Sequence, residues 1–435
     1  MSTTDWREKY TRFALGLEAT SYGVLAAAFQ VVDMDIDLPP IGNRVQDTGL
    51  RATQFGGGVK PVLGGKDTGG SFEMRWVADG FVGTYDGTSD VPGTDAGVVG
   101  ITPVLIGWAL GSNAAGGASH ANFFKGGHLS AAAYDATDVA SATTAAITTK
   151  TGTFTAGQLA VAGLAVTDPA AWQTGWISTQ SAPGGPGDVL TLQRASENAA
   201  PNDSDMYPSV TAWLASCERE SLSLRFTGEA AESAFDVYGL KPASGFMDWK
   251  AGEVPVCGLT VEFTSWAFDD TGALGGLSEP AAFTQLPDIS GSNAGRVIID
   301  GTAAALADFR LDFECTPHQE QNHSEVEGVS RRVMDFVPTI SFAQRRDTAD
   351  SISGGRDIWR QRWKASTPVD VQLDVGDTPG AGMSMLAPQW IVMEEPTMEW
   401  IDGLLYNRIV IGPYRYTADT GSTAPADTTL RVGWW

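Results

Sequence analysis

Apolar and polar residues alternate along several short segments of this chain, and the order of those segments returns in its second half. Val32–Asp33–Met34–Asp35–Ile36–Asp37–Leu38 puts acids on one face of a strand and apolar residues on the other. Pro39-Pro40 ends it. A Gly-rich connection of about thirty residues leads to a second alternating segment, Gly70–Ser71–Phe72–Glu73–Met74–Arg75–Trp76. The short apolar run Val104–Leu110 follows. Far downstream come Asp308–Phe309–Arg310–Leu311–Asp312–Phe313–Glu314, a polar stretch, and Pro338–Thr339–Ile340–Ser341–Phe342–Ala343–Gln344. A helix is expected over Asp357–Lys364, capped from Ser353, with Ile358, Trp359 and Trp363 on one face. Strand, long loop, strand, helix, twice: the pattern predicts duplicated β domains.

Other segments fill in the halves. Further strands are expected over 220–226, 234–238 and 254–268 in the first domain, and near 369–375, 388–393 and 404–416 in the second. Between 119 and 205 the composition shifts to Ala, Thr, Gly and Ser, with strand-like runs such as Leu159–Val166 and Val189–Leu192 set between turn signals. This reads as a small inserted β module. The division is therefore 1–118 with 206–270 as a first β domain, 119–205 as the insertion, 271–285 as a linker, and 286–435 as a second β domain. Asn43–Gly65 and Pro317–Val333 read as long loops, a kind of segment that is usually either disordered or an arm that contacts a partner.

Composition narrows the function. Among 435 residues, 52 acids against 28 bases give a net charge of −24, which disfavours a protein that grips nucleic acid. Cys217, Cys257 and Cys315 are too few and scattered for a disulfide framework. The first ten residues lack a signal-peptide core and no run is long enough to span a membrane, so a soluble cytosolic product is expected.

The search for chemistry yields little. Cys315, His318 and His323 lie close in sequence but fit no common zinc spacing, so no metal or cofactor is expected. The Gly56–Gly58 and Gly64–Thr68 stretches lack phosphate-loop order, and no Gly-x-Ser-x-Gly elbow occurs. Acid pairs such as Asp35/Asp37, Glu218/Glu220 and Asp269/Asp270 have no matching His or Arg motif, so no catalytic residue is assigned. Two surface features remain. Arg345, Arg346, Arg356, Arg360, Arg362 and Lys364, interleaved with Trp359 and Trp363, form a basic aromatic cluster. Such a cluster suits nucleic acid or a subunit interface, and the acidic remainder favours the interface. Asp33, Asp35 and Asp37 form an acidic strand face.

Several of these motifs resemble the tail tube proteins of long-tailed bacteriophages, particularly larger ones with two tube-like domains. Gly16-Leu17-Glu18-Ala19-Thr20-Ser21-Tyr22-Gly23 looks like the Gly-x-Glu-x-x-x-Tyr-Gly start of many phage tail proteins. Gly69–Trp76 ahead of Trp108-Ala109-Leu110-Gly111 is similar to their strand followed by a short helix. Gly152–Gly157 followed by Leu190–Leu192 is similar to a small β insertion of that group, and Ala305–Leu311 resembles the start of a tube domain. The resemblance implies tandem tail-tube-like β-sandwich domains, each with a short helix, and a structural virion protein of the tail, made in the host bacterial cytoplasm. Its partners would be further copies of itself in trimeric or hexameric stacked rings, other tail proteins, and DNA that passes without specific binding. An acidic lumen would repel phosphate. Two competing readings are a tail-tip, baseplate or decoration component, and a secreted carbohydrate-binding β protein using some of the 14 Trp residues.

Overall fold

The computed structural model describes residues 12–18, 29–32, 34–37, 70–80, 100–111, 129–131, 139–142, 146–149, 156–163, 173–181, 188–193, 205–207, 209–214, 221–227, 234–269, 277–278, 285–287, 289, 295–304, 306–321, 329–346, 358–376, 380–414 and 428–435. The fold is mainly β, with two short helices, α1 (Ile101–Leu110) and α2 (Ile358–Ala365).

The centre is one antiparallel sheet. Its strands run Asp35–Asp37, Gly70–Val77, Val256–Phe263, Ala234–Lys250, Leu306–Gln321, Val329–Arg345, Leu404–Pro413 and Thr397–Ile401, each hydrogen-bonded to the next. The first four belong to the segments read as the first β domain and the last four to the segment read as the second. They join at the ladder from Ser244↔Glu314 to Lys250↔Asp308. Period-2 alternation gives the sheet its two faces. Phe72, Met74, Trp76, Leu259, Met247, Phe309, Leu311, Phe313, Ile340 and Phe342 are buried on one of them, in a single core that runs through both halves.

The strand Ala234–Lys250 also turns out of this sheet. Its beginning pairs with Leu222–Thr227, which pairs with Arg12–Leu17, and on its other side with Ser265–Asp269. The second half is covered by Val369–Val375, Met383–Val392 and Arg431–Trp434. At the corner of the first half, Gly239 adopts φ +70°, and a side chain there would meet Thr264 Oγ1 at 2.5 Å. The buried Glu18 carboxylate holds the turn, accepting hydrogen bonds from Ser221 Oγ (2.6 Å), Ser223 Oγ (2.9 Å) and the Gly239 N–H (2.6 Å). The glutamate of the opening Gly-Leu-Glu motif is thus a structural clamp.

α1 is apolar all round and almost wholly buried, as a helix enclosed by its own protein must be. Gly100 at its start offers no side-chain cap. Asp79, at the end of the Gly70–Val77 strand, supplies one instead: its carboxylate accepts from the Ile101 N–H (2.8 Å) and the Thr102 N–H (2.7 Å). Gly111 closes the helix in the left-handed region at φ 71°.

The six described strands between Val139 and Tyr207 pair only with one another. Leu129–Ala131, inside the stretch read as inserted, instead joins the main sheet beside Val210–Trp213. The separate sheet rests on the second half: Leu159, Val161 and Trp176 pack with Leu386 and Trp435, and Thr174 Oγ1 donates to the buried Asp374 at 2.7 Å. The stretch 271–285, read as a linker, pairs with the first domain where it is described. Leu277–Ser278 pairs parallel with Phe29–Gln30, and Gln285 bridges Asp79.

Two other expectations change. The polar stretch Pro317–Val333 continues a hairpin, with Pro317↔Val333 and Gln321↔Val329 in register. Only 322–328 of it lie outside the described residues, as does all of Asn43–Gly65. The strand expected over 254–268 divides at Thr264, where the sheet turns its corner.

Candidate assembly surface: the polar face and edges of the central sheet

Opposite the core, the central sheet presents a polar face built by its own register. One row crosses it through Asp35, Arg75, Gly258, Phe246, Asp312 and Thr339. The next row holds Val77, Val256, Asp248, Arg310, Ser341 and Val410. Gly258 has a packing reason: a Cβ there would lie 2.4 Å from the Phe246 ring, which fills the space across the strand. The ring is flanked by the guanidinium groups of Arg310, 4.5 Å from its centroid, and Arg75, 5.8 Å away.

Charges of both signs alternate on this face. Arg75 pairs with Glu73 (2.8 Å), and Arg310 with Asp312 (2.8 Å) and Asp248 (3.6 Å). Arg408 contacts Asp308 and reaches Glu399 at 2.7 Å. The hydrogen bond from Arg310 to Asp312 raises the guanidinium pKa further, so its charge is permanent. The Asp248–Arg310 pair spans the junction between the two halves. These are half-exposed pairs, each contributing about 0–1 kcal/mol, so they define the face more than they stabilise it.

The acidic strand face is partly described. Asp35 is exposed and stands in register with Arg75, while Asp37 occupies the same-face position opposite Glu73. Asp33 lies outside the described residues.

The described members of the basic aromatic cluster differ in exposure and partners. Trp359 turns inward, only 4% exposed, where it donates from Nε1 to Gln344 Oε1 (2.6 Å) and packs edge-to-face on Phe342. It anchors α2 to its own sheet. Trp363 packs partly against the same core. Arg362 stacks over Trp359 at 5.2 Å and pairs with Asp300, and Arg360 pairs with Glu395 at 3.0 Å. Arg346 approaches Met398 Sδ at 2.7 Å, Arg345 is exposed on the polar face, and Arg356 lies outside the described residues. Trp359→Phe is expected to cost about 1–2 kcal/mol in urea unfolding, since it leaves the buried Gln344 amide without its donor.

Sequence reasoning missed the feature at the far edge. Thr397–Ile401 pairs with Leu404–Pro413 and, among the described residues, with no other strand. It carries the most exposed large apolar side chains of the described residues, Trp400 at 71% and Met398 at 56%. A local signal was present in Ile401-Asp402-Gly403-Leu404: both Asp402 (φ 49°) and Gly403 (φ 79°) take the left-handed conformation of a tight hairpin.

Among the described residues no group of three His, Cys, Asp or Glu side chains could hold a metal, and no helix is long and apolar enough to cross a membrane. His318 lies in a strand opposite Arg332, His323 lies outside the described residues, and Cys315 is a buried free thiol.

The fold and this surface define a mainly antiparallel β protein with one continuous, two-faced sheet. No protein-family model matches the chain, and no curated protein matches it.

Proposed function

We propose that this protein is a non-enzymatic structural component of a bacteriophage tail that assembles into stacked rings and forms the tube through which DNA passes. The observation that carries the reading is the single antiparallel sheet built from both halves, with one face buried and one polar. Edge-to-edge joining of the halves within one chain is the kind of contact that joining copies into a ring would repeat. With both halves contributing to the polar face, three copies would supply six tube-like units per ring. Arg75, Arg310 and Arg408 on that face are already held by carboxylates, so a passing phosphate chain would have to displace a local partner to bind them. The carbohydrate reading draws less support. Trp108, Trp176, Trp213, Trp249, Trp390, Trp434 and Trp435 are fully buried and serve the core.

Electron microscopy of the purified protein across a concentration series tests the proposal. Stacked rings or tubes with a central channel, of threefold symmetry, are expected. Dispersed monomers at every concentration, or closed particles without a channel, would overturn it.

A further inference from the structure

One strand touches the first domain, the second domain and the inserted sheet at once. Arg431–Trp434 lies between Val210–Trp213 and Met383–Leu386 and is hydrogen-bonded to both, so one of its edges belongs to each domain. Its flanks are fixed as well. The Leu214 N–H donates to the Leu430 carbonyl (2.9 Å), Trp390 Nε1 donates to the Thr429 carbonyl (2.9 Å), and the Trp435 and Gly382 backbones exchange two hydrogen bonds (3.0 Å each).

Period 2 then divides its side chains between two surroundings. Leu430, Val432 and Trp434 are fully buried in the core shared by both domains. The alternate residues meet the inserted sheet. Trp435 packs with Leu159, Val161 and Trp176, and Arg431 Nη1 donates to Gln193 Oε1 at 2.8 Å. Gly433 lets Leu159 approach so closely that a Cβ there would lie 2.7 Å from Leu159 Cδ2. Two edges and two faces are each engaged by a different part of the chain.

The topology gives this strand a further role. Leu129–Ala131 precedes the inserted sheet and Val210–Trp213 follows it, and the two pair with each other as a stem. Among the described residues, that stem is hydrogen-bonded to the main sheet through Arg431–Trp434 and through no other strand. The inserted sheet thus leaves from the first domain but is held on the second by a strand that follows both in the chain. Arg431 makes the two seatings depend on each other. Burying a guanidinium is costly unless acceptors meet it, and Gln193 beside the inserted sheet is one that does.

We infer that Thr428–Trp435 is a strap: its seating between the stem and Met383–Leu386 locks the inserted sheet onto the second domain, and its release frees stem and inserted sheet together while the central sheet stays folded. The device belongs to the single chain and does not depend on the assembly reading above.

Hydrogen exchange by mass spectrometry on the full chain tests it. In wild-type protein at low urea, residues 430–435, 209–214 and 159–163 are expected to exchange through one shared opening, at less denaturant than the hairpin of 306–321 and 329–345. Gly433→Val drives a side chain against Leu159. Overpacking of this kind should speed exchange in the same three segments by a common factor of about tenfold or more, with the hairpin unchanged. Ile411→Val, a mild change in the buried layer of the central sheet, should not produce this joint response. Faster exchange of 430–435 with 159–163 unchanged would overturn the coupling. Equal acceleration of every segment, hairpin included, would show an ordinary core strand and overturn the strap. The wild-type measurement decides the question even where Gly433→Val fails to fold, since opening of the three segments at separate denaturant concentrations, or only with the hairpin, contradicts the inference.

Discussion

Asp79→Ala is expected to lower the unfolding free energy by about 3 kcal/mol, read from urea denaturation. The carboxylate takes the place of a missing N-cap: Gly100 has no side chain to offer, and the Ile101 and Thr102 N–H groups point at Asp79 from a buried site. Alanine would leave both donors without a partner where water is excluded. Thr102 Oγ1 also accepts from Trp76 Nε1 (2.9 Å) and from the Asp79 N–H (2.9 Å), so the strand end and the helix start are one hydrogen-bonded unit. Asp79→Asn keeps one acceptor oxygen and should cost less, about 1–2 kcal/mol. The two side chains also differ in their response to pH. Burial raises the Asp79 pKa above its ordinary value, against hydrogen bonds from Thr102 and Ile101 that pull it down. A carboxyl raised in the folded state contributes stability that is fully present below its unfolded pKa of about 3.9 and lost as pH climbs through the folded value. Asparagine has no such titration. The wild-type advantage over Asp79→Asn is therefore greatest in acid and shrinks as pH rises, and an advantage that grew with pH would contradict the assignment.

Glu18→Ala is expected to cost about 3 kcal/mol or more, because it removes the common acceptor of two buried hydroxyls and a buried N–H. Gly239→Ala acts on the same corner by another route. It forces a side chain into the left-handed region, at about 1–2 kcal/mol, and drives a methyl group against Thr264. Both changes release the turn that carries Ala234–Lys250 from one layer to the other. Their effects should therefore fall short of additivity in the double variant, whereas independent sites would add to within about 0.5 kcal/mol. Full additivity in a thermodynamic cycle would show that Glu18 does not act through the Gly239 turn.

Much of the architecture was legible locally. Phe72, Met74 and Trp76, like Phe309, Leu311 and Phe313, alternate with polar neighbours, and each set is buried on one face. Both helices fall where apolar runs or helical spacing put them, and the Ala- and Thr-rich segment, apart from Leu129–Ala131, holds described strands that pair in a sheet of their own. The pattern faded where contrast was lost. Pro317–Gln321 and Val329–Val333 form a ladder although the segment is largely polar, so period 2 leaves no mark there.

What the sequence determined by itself, then, was the period of each element and which side of it is apolar, since these depend on residues a few positions apart. Tertiary structure decided everything carried by distant pairing. Glu18 meets Gly239, Asp79 caps a helix that starts at Ile101, and Trp359 turns inward to Gln344 rather than outward among the arginines. It also decided that the two halves share one sheet and one core, and that Thr397–Ile401 is, among the described residues, an outer strand with Trp400 exposed. Alternation tells a strand which face to bury, but the choice of neighbour is set only when backbone donors and acceptors far apart in the chain find the arrangement that satisfies them together.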